Sequence, residues 1–430
     1  MYEKLSPLVI LFLVVFFLTT FPSEAQQASG TNVCINCHQE NDEDYLRDPA
    51  IEFQKVENGR FVDAHAQAGF SCVDCHGGDP TGDPTDETAA HDVAKGFFGV
   101  PFPDEIPKLC GSCHEDIEYM RRFNPRIPTD QLRLYRTSRH GKLLQQGEEN
   151  VATCISCHGI HSIRSVNDPR SPVFAQNIPG TCAECHSDQE YMEGFDIPTD
   201  QFDKYKRSEH ARLLFEEGDT SAPTCKTCHG NHGAVPPGAA SVHHVCGQCH
   251  TQNDEYFKQS THAEHFEKEE LPGCATCHGY HEIPSPETAK LLSNKPGSVC
   301  MECHEEDDKC YLYVERVRGM FDQYGEWRTR TIDVLNRAER LGMSVRNPRF
   351  LISQANDNII RARTKIHQFK EGIVEEELKS AMELIKTAYE IGEGELREWQ
   401  LRRIGLAVSL IFVGLFIVGL ILKIKEIEKK

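Results

Sequence analysis

Residues Cys154-Ile155-Ser156-Cys157-His158-Gly159-Ile160-His161 bring two thiols, the histidine that follows them, a glycine and a second histidine into one short stretch. In an exported chain, C-x-x-C-H is an attachment site for c-type haem. The two sulfurs form thioethers with the porphyrin, and the adjacent imidazole binds the iron from one face. His161, three residues past that ligand, is placed to bind a different iron. One such stretch would be a single site, but the chain holds nine C-x-x-C-H sequences in 430 residues.

The first three along the chain are Cys34 and Cys37 with His38, Cys72 and Cys75 with His76, and Cys110 and Cys113 with His114. Then come Cys154 and Cys157 with His158, Cys182 and Cys185 with His186, and Cys225 and Cys228 with His229. The last three are Cys246 and Cys249 with His250, Cys274 and Cys277 with His278, and Cys300 and Cys303 with His304. They use 18 of the 19 cysteines and leave Cys310, expected to be a bystander thiol. Disulfides between cysteines three apart would be strained and would not explain a histidine after every pair. Structural zinc uses C-x-x-C half-sites but gives no reason for that histidine either. The cofactor expected is haem c, nine per chain and covalently attached.

The motifs belong to a repeat. Ile127-Pro128-Thr129-Asp130-Gln131-Leu132 returns as Ile197-Pro198-Thr199-Asp200-Gln201-Phe202. Each copy continues through Ser-x-His (Ser138 to His140, Ser208 to His210) into C-x-x-C-H-G-x-H and ends at a second C-x-x-C-H. A third copy runs from Ser260 through His262 and His281 to His304. A looser first copy carries His65 and His91 and replaces the second histidine by the insertion Gly77–Pro84. The head therefore reads as four two-haem modules behind one leading haem, built of short helices and long loops. There are only about 30 residues per motif. Porphyrins must therefore form much of the core, and closely packed haems conduct electrons.

Sixth ligands decide between carrier and enzyme. Twelve histidines lie outside the motifs. Eight stand at repeat positions and are expected to ligate iron: His65, His91, His140, His161, His210, His232, His262 and His281. For the ninth iron, His243 or His244 is the expected source, with His265 and then His367 behind them. His367 itself is expected to be a packed or surface residue. None of the seven methionines repeats. Histidine alone meets the demand, so nine low-spin bis-histidine haems are expected. Gly159, Gly230 and Gly279 are expected where the chain turns close to a porphyrin.

This pattern over residues 34–304 resembles the multihaem cytochrome c superfamily with doubled C-x-x-C-H motifs. The resemblance implies that His161, His232 and His281 serve irons other than those of His158, His229 and His278. It also brings in nitrite reductases and hydroxylamine oxidoreductases, but the lysine that marks the nitrite-reductase site is absent from all nine motifs.

Charge and hydropathy set the address. Residues 24–310 hold 24 Lys and Arg against 48 Asp and Glu, which argues against nucleic acid and for a basic redox partner. Residues 1–25 read as a signal peptide, with an apolar run Leu8–Leu18 and small residues Ser23 and Ala25 before the cleavage point. Residues 26–310 form the head. Residues 311–403 are expected as a helical stalk or bundle, with helices over Leu312–Leu341, Phe350–Phe369 and Val374–Arg403, a break at Asn347-Pro348, and oligomer contacts through this region. Residues 404–422 carry no charge and are long enough to cross a bilayer, followed by a cytoplasmic tail 423–430.

The fold class expected is mostly α with extensive loops: a haem-packed head, a C-terminal helical hairpin or bundle, and one transmembrane helix. The function expected is a cell-membrane-anchored cytochrome with its head on the periplasmic side, carrying electrons between a quinol-linked membrane partner and other redox proteins. Two alternatives remain open: a multihaem reductase or oxidase with one open iron, the leading haem or the altered first module, and a subunit that itself oxidises quinol. Carbon monoxide binding and turnover of small nitrogen or sulfur compounds separate them.

Overall fold

A computed structural model describes residues 32–83, 85–236, 242–286, 291–306 and 308–428. The expected signal peptide lies outside these residues. By contacts the chain divides into two compact units: Met1–Asp203 with His210–Pro236, and Lys204–Glu209 with Pro237–Lys430.

The first unit is short helices and loops, with one two-stranded antiparallel ribbon pairing Val56 with Phe61 and Glu57 with Arg60. Its helices bury few apolar side chains, such as Leu132 and Leu144, and several bury none; its largest fully buried apolar side chain is Leu214. The stretch from Gln131 to Gln145 is two helices, Gln131–Thr137 and Arg139–Gln145. Ser138 breaks it: its backbone is extended, and its hydroxyl accepts from Gly141 N–H at 2.9 Å to cap the second helix.

The second unit holds the last three motifs and the one contiguous hydrophobic cluster among the described residues. That cluster is the interior of three long helices, Lys309–Arg340, Arg346–Lys365 and Ile373–Glu428. On the third, Val374, Leu378, Ala381, Ile385, Ala388 and Gly392 are buried at alternating spacings of four and three, the seam of a left-handed helix pair. It packs along both other helices. Gly392 makes room for side chains of the first helix: a Cβ there would lie 2.7 Å from Leu335 Cδ2. Pro348 does not break the second helix but sits in its first turn, where an N–H has no intrahelical partner to lose.

The third helix runs on unbroken for 56 residues, a length of about 84 Å at 1.5 Å per residue. Its stretch 404–422 is exposed throughout and is a candidate membrane anchor.

Candidate haem-binding sites

Six of the nine attachment motifs take one of two local forms. Cys72–His76, Cys154–His158, Cys225–His229 and Cys274–His278 are isolated single-turn helices. In the first three, the residue before the second cysteine closes the turn. Asp74, Ser156 and Thr227 accept from the backbone N–H of Ser71, Thr153 and Thr224 at 2.7, 3.0 and 3.1 Å. Each of the four helices ends on a glycine with φ between 68° and 82°: Gly77, Gly159, Gly230 and Gly279. The left-handed backbone is the reason for glycine; a Cβ at Gly159 would meet nothing within 4 Å. By contrast, Ile106–His114 and Ile178–His186 are longer helices, opened by Pro107 and Pro179, that carry their motif at the C-terminal end.

The two cysteines of a motif differ in burial. The first of each pair is half-buried, but Cys37, Cys75, Cys228, Cys249 and Cys303, all second cysteines, are exposed. A porphyrin-filled core leads one to expect these sulfurs inside, and the polypeptide by itself does not enclose them. Cys113 differs from that group. It is half-buried on the longer helix Ile106–His114, with the Ser112 hydroxyl 3.8 Å from its sulfur.

Seven motif histidines face a histidine from elsewhere. The pairs are His38 with His91, His65 with His114, His76 with His161, and His140 with His186. The other three are His158 with His232, His262 with His304, and His278 with His367. Every pair joins one motif histidine to one outside the motifs. Ring centroids are 6.0 to 6.2 Å apart in all seven, while the angle between ring planes ranges from 11° to 89°.

Ordinary ring contacts in the same chain do not keep one distance. His262–Phe369 is at 4.0 Å, His91–Phe97 at 4.5 Å and Phe70–Phe123 at 5.3 Å. A separation fixed regardless of rotation is what one metal between two imidazoles imposes. Two coordinate bonds of about 2 Å, plus the depth of each ring, span about 6 Å. The residues present therefore fit bis-histidine haem. Burial pushes the pKa of His114, His140, His158, His161, His186, His232 and His262 down, and that of His278 to about 4. These rings are neutral at pH 7 and keep a lone pair for a metal.

The pairing follows a rule. His161 and His232, the second histidines of C-H-G-x-H, face His76 and His158, the first motif histidines of the preceding modules. The Ser-x-His histidines His140 and His262 face the second motif histidines of their own modules, His186 and His304. The first module has no module before it, and its His91 faces His38 of the leading motif instead. His278 belongs to the last module and has no successor to supply a ring. His367 faces it, on the short turn Ile366–Gln368 between the second and third long helices. His367, expected to be a packed or surface residue, thus stands opposite a motif histidine. The side chains of His243 and His244 lie outside the described residues, and His265 is exposed.

Two devices hold these rings. In the Ser-x-His elements the serine is an N-cap two residues before the histidine, buried at Ser138, Ser208 and Ser260. The adjacent N–H then donates to the backbone carbonyl two residues past a C-H-G-x-H histidine: Arg139 to Ala234 and Glu209 to Ile283, both at 2.9 Å. Sequence reading missed that Asp63 is the serine's counterpart in the first module, although it too lies two residues before its histidine. Its carboxylate accepts from His65, Ala66 and Ile163 N–H at 2.7, 3.1 and 2.8 Å, and Ala64 N–H donates to Ile163 carbonyl at 2.7 Å. Asp63→Ala removes all three acceptor contacts at a buried cap. We expect a loss of about 2 kcal/mol in stability, measured by denaturant unfolding, and a high-spin signal from the iron site of His65 and His114.

Within each unit, consecutive attachment sites are neighbours in space. In the first unit, the sulfur of Cys110 lies beside that of Cys154, and the sulfur of Cys182 beside that of Cys225. Burial pushes Cys72 up to about 11, and Cys34 of the preceding motif adds to it, while Cys110 and Cys113 of the next motif lie beside Cys75. Cys185 acts likewise on Cys157. In the second unit the sulfur of Cys246 lies beside that of Cys274, and Cys300 and Cys303 lie near Cys277. Cys310, expected to be a bystander, has its sulfur beside that of Cys300 and packs beside the helical core.

Residues 64–187 match the family model described as cytochrome c3, a stretch that holds four of the nine motifs. No curated protein matches the chain, and neither does any solved structure. The attachment motifs, the paired imidazoles and this match together support a multihaem c-type cytochrome.

Proposed function

We propose that the chain carries nine covalent haems and passes electrons along them, in motif order, on the extracytoplasmic face of the membrane to which its C-terminal helix anchors it. A bis-histidine haem supplies, when bound, a one-electron iron couple with no open coordination position. The observation that carries this reading is the constant spacing of the seven histidine pairs. The chain's own residues close both faces of each iron: a motif histidine from one side, and from the other a ring fixed by a cap, a glycine turn or the helical bundle. His210 and His281 stand at repeat-equivalent positions and are the proposed rings for the two haems of His229 and His250.

The order of attachment sulfurs supports a linear relay, six sites in the first unit and three in the second. The leading motif, which the reductase alternative would leave open, has His91 opposite His38 at 6.2 Å. The apolar run near the N-terminus and the export that haem attachment requires support an extracytoplasmic head. Acidic composition supports basic redox partners, and the anchor supports a quinol-linked membrane partner. The test is carbon monoxide added to the reduced full-length protein in detergent, with nitrite, hydroxylamine and sulfite offered as substrates. Sub-stoichiometric uptake and no turnover are expected. Native uptake of one or more molecules per chain, or turnover, would contradict the relay.

A further inference from the structure

His304 is the motif histidine whose outer nitrogen meets a carboxylate among the described hydrogen bonds. Its Nδ1 lies 2.9 Å from Asp308 Oδ2. With Nε2 directed to the iron, Nδ1 carries the ring's one proton and is the donor. His76 and His229 turn their Nδ1 instead to peptide carbonyls, Gly99 O at 2.8 Å and Val235 O at 3.3 Å. His65 has Asp63 Oδ1 at 3.5 Å, but that oxygen already accepts two shorter backbone N–H bonds.

Asp308 is fixed from the other side. Its Oδ1 accepts from Tyr311 N–H at 2.8 Å as the N-cap of the first long helix. One carboxylate thus ties the bundle's first helix to the ligand of the last motif. The iron's other ring, His262, has a buried Nδ1 without a hydrogen-bond partner and lies under Phe369 at 4.0 Å. Ligand atoms of His304, Asp308 and Cys310 lie within 4.8 Å of one another. The hydrogen bond accounts for that grouping without a further metal.

A carboxylate acceptor pulls the Nδ1 proton outward and makes the imidazole a stronger donor to its metal, which favours the higher oxidation state. We infer that Asp308 is a positioning residue that lowers the reduction potential of the haem on Cys300 and Cys303, so that an electron delivered beside the helical bundle runs downhill into the head. This rests on the haem reading above and adds a direction to it.

The test is a spectroelectrochemical titration of the full-length protein, unmodified and as Asp308→Asn and Asp308→Glu, with haem mapped to the 300–303 peptide by mass. Asparagine remains a good N-cap but carries no charge. In Asp308→Asn, one midpoint should move positive and one low-spin magnetic-resonance signal should change, with the other eight unmoved. Asp308→Glu should restore most of the shift. An unmoved midpoint in Asp308→Asn, with haem present on the peptide, overturns the role of Asp308 alone. A 300–303 peptide without haem in the unmodified chain overturns the haem reading and this role together.

Discussion

Replacing His367 by alanine is expected to convert one haem, that on Cys274 and Cys277, from six- to five-coordinate and leave the others low-spin. His367 and His278 face each other at 6.0 Å with planes 19° apart, and the His367 Nδ1–H donates to Thr364 carbonyl at 3.0 Å. That bond leaves Nε2 free for the metal and fixes the ring in the turn. The loss is all-or-none at one iron: a high-spin signal appears and carbon monoxide uptake rises to one per chain. His265→Ala, at an exposed ring, is the matched control and should change nothing. An unchanged spectrum in His367→Ala would return the ninth ligand to another residue. The same turn sets Phe369, with φ of 51°, over His262. A non-glycine residue there costs about 1 kcal/mol, which ring packing offsets. On the proposed function, the bundle supplies side chains to the last two haem sites.

His161→Ala should open an iron that its own motif does not hold. The ring faces His76 at 6.1 Å, so the affected haem is the one on Cys72 and Cys75, while His158 keeps His232 at 6.2 Å. The expected result is one new high-spin site and loss of one low-spin signal of the near-parallel type, since the His76–His161 planes lie 23° apart. Assignment comes from a second change. In a chain with Cys72 and Cys75 replaced by serine the effect of His161→Ala should vanish, and with Cys154 and Cys157 replaced it should persist. The reverse outcome would mean that each C-H-G-x-H histidine serves its own module.

The attachment sites were legible because their chemistry is local: thiols, spacing and the next imidazole all lie within five residues. What the motif does not carry is depth, so the exposure of Cys37 and Cys228 and the half-burial of Cys113 come only with the helix that bears each one. The supply of outer histidines was legible by counting, and six of the seven that face a motif histidine stand at repeat positions. His367 was not, because nothing near it in sequence marks it. Its partner His278 is reached only through the fold of two long helices, Lys309–Arg340 and Arg346–Lys365. Asp63 was hidden for a different reason. It substitutes for serine at a cap, and a carboxylate and a hydroxyl do the same work there only once the backbone geometry is known. The helical tail was legible from apolar spacing, but Pro348 was read as a break because sequence does not say whether a proline opens a helix or interrupts it.

The central claim is that histidine closes both faces of nine irons in one chain. The measurement that meets it most directly is a spin count by magnetic resonance on the oxidised full-length protein, together with its haem-loaded mass. The account predicts nine haems above the polypeptide mass and low-spin signals alone, including near-perpendicular pairs such as His65–His114 at 89° and near-parallel ones such as His158–His232 at 11°. Fewer than nine haems, or a stoichiometric high-spin signal in the unmodified protein, would contradict it.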